Sequence, residues 1–120
     1  MSLRDAFEQE RAGLQERLQA RSGRNLKRFL SVDHACYQDG ALPARQKELL
    51  GLTASAVLRC DDCIRYHLIR CHELGYTAAE LMEALEVALV VGGSIVIPHA
   101  RRAVALLDEL EETSGSVTTP

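Results

Sequence analysis

The 120-residue chain is predicted to be all-α, and three observations carry that prediction. Apolar residues recur at three- and four-residue intervals in most segments. No run alternates apolar and polar residues as a half-buried strand does. Capping residues, glycines and prolines fall at the ends of the periodic runs, where helices start and stop.

The elements follow in order. Ser2 with Asp5 marks a helix start, Leu3, Phe7, Leu14 and Leu18 form its apolar stripe, and Gly23 ends it. Leu26, Phe29, Leu30 and Val32 predict a short helix over 25–37, closed by the turn Gln38-Asp39-Gly40. Leu42-Pro43 opens a third, with Pro43 at or near its first helical position and Leu49, Leu50, Leu52, Ala56 and Val57 on its apolar face. A fourth runs from about Asp62 to Leu74 and is closed by Gly75. Thr77-Ala78-Ala79-Glu80 is a capping box for the fifth, faced by Leu81, Leu85, Ala88 and Leu89 and broken by Gly92-Gly93. The last helix is expected from about Ser94 to Glu111, with Pro98 in its first turn. Residues 1–112 read as a single domain, and Thr113 to Pro120 as a disordered polar tail.

Composition bounds the function. A net charge of −3 gives no reason to expect a nucleic-acid or membrane surface. Charge is unevenly spread: residues 1–50 hold nine Lys/Arg and seven Asp/Glu, residues 51–120 five and ten. The N-terminus is amphipathic without an apolar signal region, so the expected compartment is the cytoplasm, where thiols rest reduced. The most apolar stretch, Leu85 to Ile97, carries Glu86 and two glycines and is too short to cross a bilayer. The run 87–91 and the helix expected to start at Ser94 are very apolar for so small a chain, which points to contacts between subunits.

The chemistry concentrates in Cys60-Asp61-Asp62-Cys63-Ile64-Arg65-Tyr66-His67. Two cysteines at a helix start gain from the partial positive charge and free N–H groups there, which favour a thiolate. Asp61 and Asp62 oppose ionisation, and Arg59 and Arg65 are expected to offset them in part. His67, four residues after Cys63, shares its helical face and can take its proton. Glu48 is the candidate to orient that histidine. In one straight helix it would lie about 18 Å from Cys60. A chain break near 59–61 that folds two helices back as a hairpin would bring it within about a turn of His67.

Glu48, eleven intervening residues, Cys60-x-x-Cys63, three more and His67 together resemble the signature of the AhpD-like alkylhydroperoxidases of the carboxymuconolactone decarboxylase superfamily. Leu42-Pro43, Gly75-Tyr76-Thr77 and Gly92-Gly93 agree with it, and the likeness covers about residues 42–107. The resemblance implies an AhpD-like helical bundle with a helix hairpin carrying the site, assembled as a homo-trimer or homo-hexamer. It implies a thiol peroxidase or disulfide reductase. Cys63 would be the peroxidatic thiol, deprotonated through His67 and Glu48, and Cys60 the resolving one. A hydroperoxide would be the substrate and a dithiol such as a dihydrolipoyl protein the reductant, with no metal or organic cofactor. Some members carry a histidine where this chain has Asp62. The decarboxylase branch lacks the cysteine pair, which argues against lactone decarboxylation.

Other residues have plainer readings. Cys36 and Cys71 are expected to pack as small hydrophobes, His72 to be exposed, and His99 to lie on a helix surface or interface. The alternative function is a non-enzymatic oligomeric protein that binds metal or senses redox through the same cysteines. Cys60, Cys63, His67 and Cys71 share a stripe, but it spans about 16 Å along a helix, too long for one tetrahedral ion to gather all four.

Overall fold

The computed structural model describes the backbone of residues 1–118 and the side chains through residue 114. The described residues form six α-helices: α1 (Leu3–Arg21), α2 (Arg24–Cys36), α3 (Ala44–Val57), α4 (Asp61–Glu73), α5 (Ala78–Gly92) and α6 (Ile97–Thr118). A 3-10 turn, Ser94–Val96, leads into α6. The chain is all-α, as its periodicity predicts. Among the described residues no helix is long and apolar enough to cross a membrane.

Two compact units divide at residue 44, Met1–Ala44 and Arg45–Pro120. In the first, Ser2 caps α1 by accepting from the Asp5 N–H at 3.0 Å. Asp39 accepts from the Ala44 N–H at 2.7 Å, supplying the cap at the start of α3. Neither α1 nor α2 contains a buried residue. Leu14 and Leu18 are each half exposed, and Phe29 and Val32 more so. Cys36 is exposed, so the expectation of a packed thiol does not hold there. Burial by hydrophobic partners requires a buried face, and α2 has none.

The second unit holds the core. α4 packs on α6 and α5, and α5 packs on α6. Leu52, Ile64, Leu68, Leu81, Val96 and Leu110 are fully closed to solvent. Both halves of the Thr77–Glu80 capping box form: Glu80 N–H donates to the Thr77 hydroxyl at 3.1 Å and Thr77 N–H to the Glu80 carboxylate at 2.8 Å. Those bonds hold the Glu80 carboxyl below its ordinary value. Gly75 and Gly93 adopt φ of 91° and 84°, which suits residues without a Cβ. Pro98 sits at the second position of α6, where its missing N–H breaks no helical bond.

α6 continues past Glu111, where the sequence predicts its end, to Thr118. The Thr113 hydroxyl donates to the Glu109 carbonyl at 3.0 Å, and Ser114 Oγ lies 2.7 Å from His72 Nε2 on α4. These bonds hold a stretch that reads as a polar tail. The part of that tail reading that concerns residues 119–120 lies outside the described residues.

Candidate active site

The site begins at the break between α3 and α4. α3 ends at Val57 and α4 begins at Asp61, leaving Leu58, Arg59 and Cys60 as the connection. Arg59 takes φ 59°, a left-handed conformation that stops the helix and is uncommon for a residue with a side chain. Cys60 is extended and serves as the N-cap of α4. Its sulfur accepts from the Cys63 N–H at 3.4 Å. The two sulfurs lie 2.8 Å apart as free thiols. Cys63 is exposed and Cys60 half-buried, so a small reagent can reach the pair.

Glu48 and His67 meet. Oε2 of Glu48 lies 2.8 Å from Nδ1 of His67. Along one uninterrupted helix these positions would stand about 28 Å apart, so the chain folds back at the Arg59 break. Both side chains are buried, Glu48 at 5% and His67 at 8% exposure. Charged residues are rarely this buried without a partner, and here each supplies the other's. With Nδ1 turned to Glu48, the ring is held in orientation by that bond. The Tyr66 ring stands edge-on to His67, with centroids 5.2 Å apart.

A second set of bonds fixes the start of α3. Arg45 donates from Nε to the Leu74 carbonyl at 3.1 Å, and its guanidinium lies 3.7 Å from the centre of the Tyr76 ring. The Tyr76 hydroxyl donates back to the Arg45 carbonyl at 3.2 Å. Glu48 lies one turn further along α3, so this clasp sets its height against α4.

Cys71, on the same stripe as His67, is fully buried. Burial pushes its thiol up to about 12, with the Glu48 charge adding to the effect. It stays protonated and unreactive, the packing residue the sequence predicts. Among the described residues no three His, Cys, Asp or Glu side chains converge as a metal site.

The two aspartates within the motif have different partners. Asp62 bonds Arg65 at 3.3 Å, as expected. Asp61 is held by α6 and not by Arg59: Oδ1 lies 2.8 Å from His99 Nδ1, and Oδ2 accepts from Arg102 Nε at 2.9 Å. His99 is therefore tied to the cysteine turn, a role sequence reasoning missed. The i, i+3 spacing puts His99 and Arg102 on one face of α6, but no local signal points that face at Asp61. His72 is likewise half-buried beside Ser114, not exposed. It lines a groove of about 360 Å³ with Tyr76, Leu107 and Ser114, and neither Cys60 nor Cys63 is among the groove's lining residues.

Known proteins share this architecture. Two crystal structures of the Thermotoga maritima protein TM1620 are each 54% identical to the chain. One has a TM-score of 0.89, covering 92% of this chain and 97% of the other. The second has a TM-score of 0.87 over 95% and 97%, and is described as a carboxymuconolactone decarboxylase family protein to which a possible antioxidative role is ascribed. A carboxymuconolactone decarboxylase family protein of Legionella pneumophila shares the fold at 24% identity, with a TM-score of 0.80 over 89% and 96% of the two chains. An uncharacterized cox-locus protein of Paracoccus denitrificans is 34% identical over 69% of this chain and 75% of its own length. The carboxymuconolactone decarboxylase family model matches residues 24–106. With more than half its length matched in sequence and the helices superimposing on solved members, the chain belongs to the carboxymuconolactone decarboxylase family.

Proposed function

We propose that the protein is an AhpD-like thiol peroxidase and disulfide oxidoreductase, reducing alkyl hydroperoxides through Cys60 and Cys63. The observation that carries the reading is the buried Glu48–His67 pair one helical turn from Cys63, beside a cysteine pair at a helix start. The antioxidative role suggested for the Thermotoga relative points the same way.

In this reading Cys63 is the nucleophile and gives its proton to Nε2 of His67, whose Nδ1 is held by Glu48. The thiolate attacks the terminal peroxide oxygen. An S–O bond forms as the O–O bond breaks, and the leaving alkoxide takes the proton back to become an alcohol. The Cys60 thiolate then attacks the sulfenic sulfur, forming the disulfide and releasing hydroxide, which leaves as water. A dithiol such as a dihydrolipoyl group exchanges with the disulfide, becoming oxidised as Cys60 and Cys63 return to thiols.

The functional form is proposed to be a cytoplasmic homo-trimer or homo-hexamer. Val87, Val90, Val91 and Ile95 are each more than half exposed, an apolar surface that self-association would cover. Light scattering reads the assembly directly.

The test of the activity is peroxide consumption with dihydrolipoamide as reductant, wild type against Cys63→Ser. Turnover is expected in the wild type and lost in the variant. Equal rates would remove Cys63 from the reaction. Stoichiometric zinc or iron in the purified protein would favour a metal-binding role instead.

A further inference from the structure

Asp61 places a negative charge beside the two thiols. It follows Cys60, opens α4 and lies within one turn of Cys63. Negative charge there opposes the ionisation on which thiol chemistry depends. Burial pushes the Asp61 carboxyl up, but the bonds and charges of His99 and Arg102 outweigh it, leaving the group below its ordinary value. Asp61 is therefore ionised at neutral pH.

Its partners come from a different element. His99 and Arg102 stand one turn apart on α6 and reach the two carboxylate oxygens separately, at 2.8 and 2.9 Å. Arg102 Nη2 also lies 3.2 Å from His99 Nδ1, closing a three-membered cluster. The other charges near the turn have separate arrangements. Asp62 is met by Arg65 within α4, Arg59 precedes Cys60, and Glu48 of α3 faces His67.

We propose that Arg102, with His99, is a charge mask: it cancels Asp61 and so sets how readily the Cys60–Cys63 turn forms a thiolate. Arg102 and His99 act through Asp61 and are positioning residues. The mask rests on the thiol oxidoreductase reading and extends the functional unit from the α3–α4 turn to α6. It also gives the protein a lever on its own reduction equilibrium. A dithiol whose thiolate is stabilised is the more oxidising couple.

The rival explanation is a tether that merely holds α4 against α6, and the sign of two substitutions separates them. A tether makes Asp61→Asn and Arg102→Gln alike, because each weakens the same link. A mask makes them opposite. The experiment uses the reduced full-length protein, bromobimane labelling followed against pH, and equilibration of Cys60–Cys63 with the glutathione couple. Arg102→Gln is expected to lower the labelling rate at pH 7 by about three- to tenfold. It is expected to shift the exchange equilibrium toward the disulfide by a similar factor. Asp61→Asn should move both the other way, the double variant should return close to wild type, and Arg102→Lys should stay there. Shifts of the same sign in Asp61→Asn and Arg102→Gln, or no shift in either, overturn the mask. If Arg102→Gln fails to fold, Asp61→Asn still decides, since a rate that does not rise sinks the idea. Labelling needs no turnover, so the two readings fail separately. Opposite shifts in a protein that consumes no peroxide keep the mask and remove the peroxidase. Turnover with same-sign shifts does the reverse.

Discussion

Glu48 and His67, nineteen positions apart in the chain, share a 2.8 Å hydrogen bond between two largely buried side chains. Taking away one partner of such a bond strips a buried group of its bond and costs about 1–3 kcal/mol. Glu48→Ala is therefore expected to lower unfolding stability by that amount in urea melts. Glu48→Gln, which keeps an oxygen facing Nδ1, should lose less. Both should slow bromobimane labelling of Cys63 at neutral pH, because neither leaves a carboxylate to stabilise the imidazolium. If labelling is unchanged in both, Glu48 has no part in ionising the thiol.

Cys60→Ser separates resolution from attack. Serine is a strong N-cap, so the start of α4 should survive the change. Cys63 should still consume one equivalent of hydroperoxide, and its sulfenic acid should be trapped by dimedone. Sustained turnover with dihydrolipoamide should be lost. Full turnover in this variant would show that the reductant attacks the sulfenic acid directly and that Cys60 is dispensable.

Cys71 gives the fold an alkaline limit. Its thiol is raised from 9.0 to about 12 in the folded protein. Above pH 9 the unfolded chain gives up that proton while the folded one keeps it, so the unfolded state binds fewer protons and stability falls with pH. The contribution is complete below pH 9 and is lost progressively toward pH 12, at up to about 1.4 kcal/mol per unit. Cys71→Ala should flatten this part of the stability curve, measured by urea melts from pH 8 to 11. In the native wild type Cys71 should also resist alkylation under conditions that label Cys63.

Gly92 ends α5 against a packed neighbour. A Cβ there would stand 2.7 Å from Cγ2 of Val96, which is fully buried, and 3.7 Å from the Cα of Val57. Overpacking of this kind costs about 1–3 kcal/mol, more than the roughly 1 kcal/mol that alanine gains over glycine in a helix. Gly92→Ala is expected to lower the melting temperature, and adding Val96→Ala should relieve the contact. A single variant more stable than wild type would mean that Val96 yields at no cost.

What could be read in the sequence was local. Ser2, Gly75, Thr77 with Glu80, and Gly93 each announce a helix end through their own backbone or side-chain chemistry, and each sits at one. The meeting of Glu48 with His67 was accessible because one break in a short stretch leaves few ways to fold back. Asp61 with His99 and Arg102 was not, since nothing local links groups 38 and 41 positions apart. The same holds for Ser114 and His72, whose bond helps keep α6 helical where composition alone suggests a tail. Cys36 shows the converse error. A preference for burial says little when the helix that carries the residue buries nothing.

The three-residue connection between α3 and α4 makes the motif intolerant of changes in length. Each residue added to a helix turns everything beyond it by about 100° and moves it about 1.5 Å along the axis. One residue inserted between Cys63 and His67 would swing the imidazole off the face that meets Glu48, although every chemical group would still be present. Substitutions in the intervening positions leave that phase untouched. The eleven and three residues that separate the reacting groups thus act as gear teeth: their number matters more than their identity.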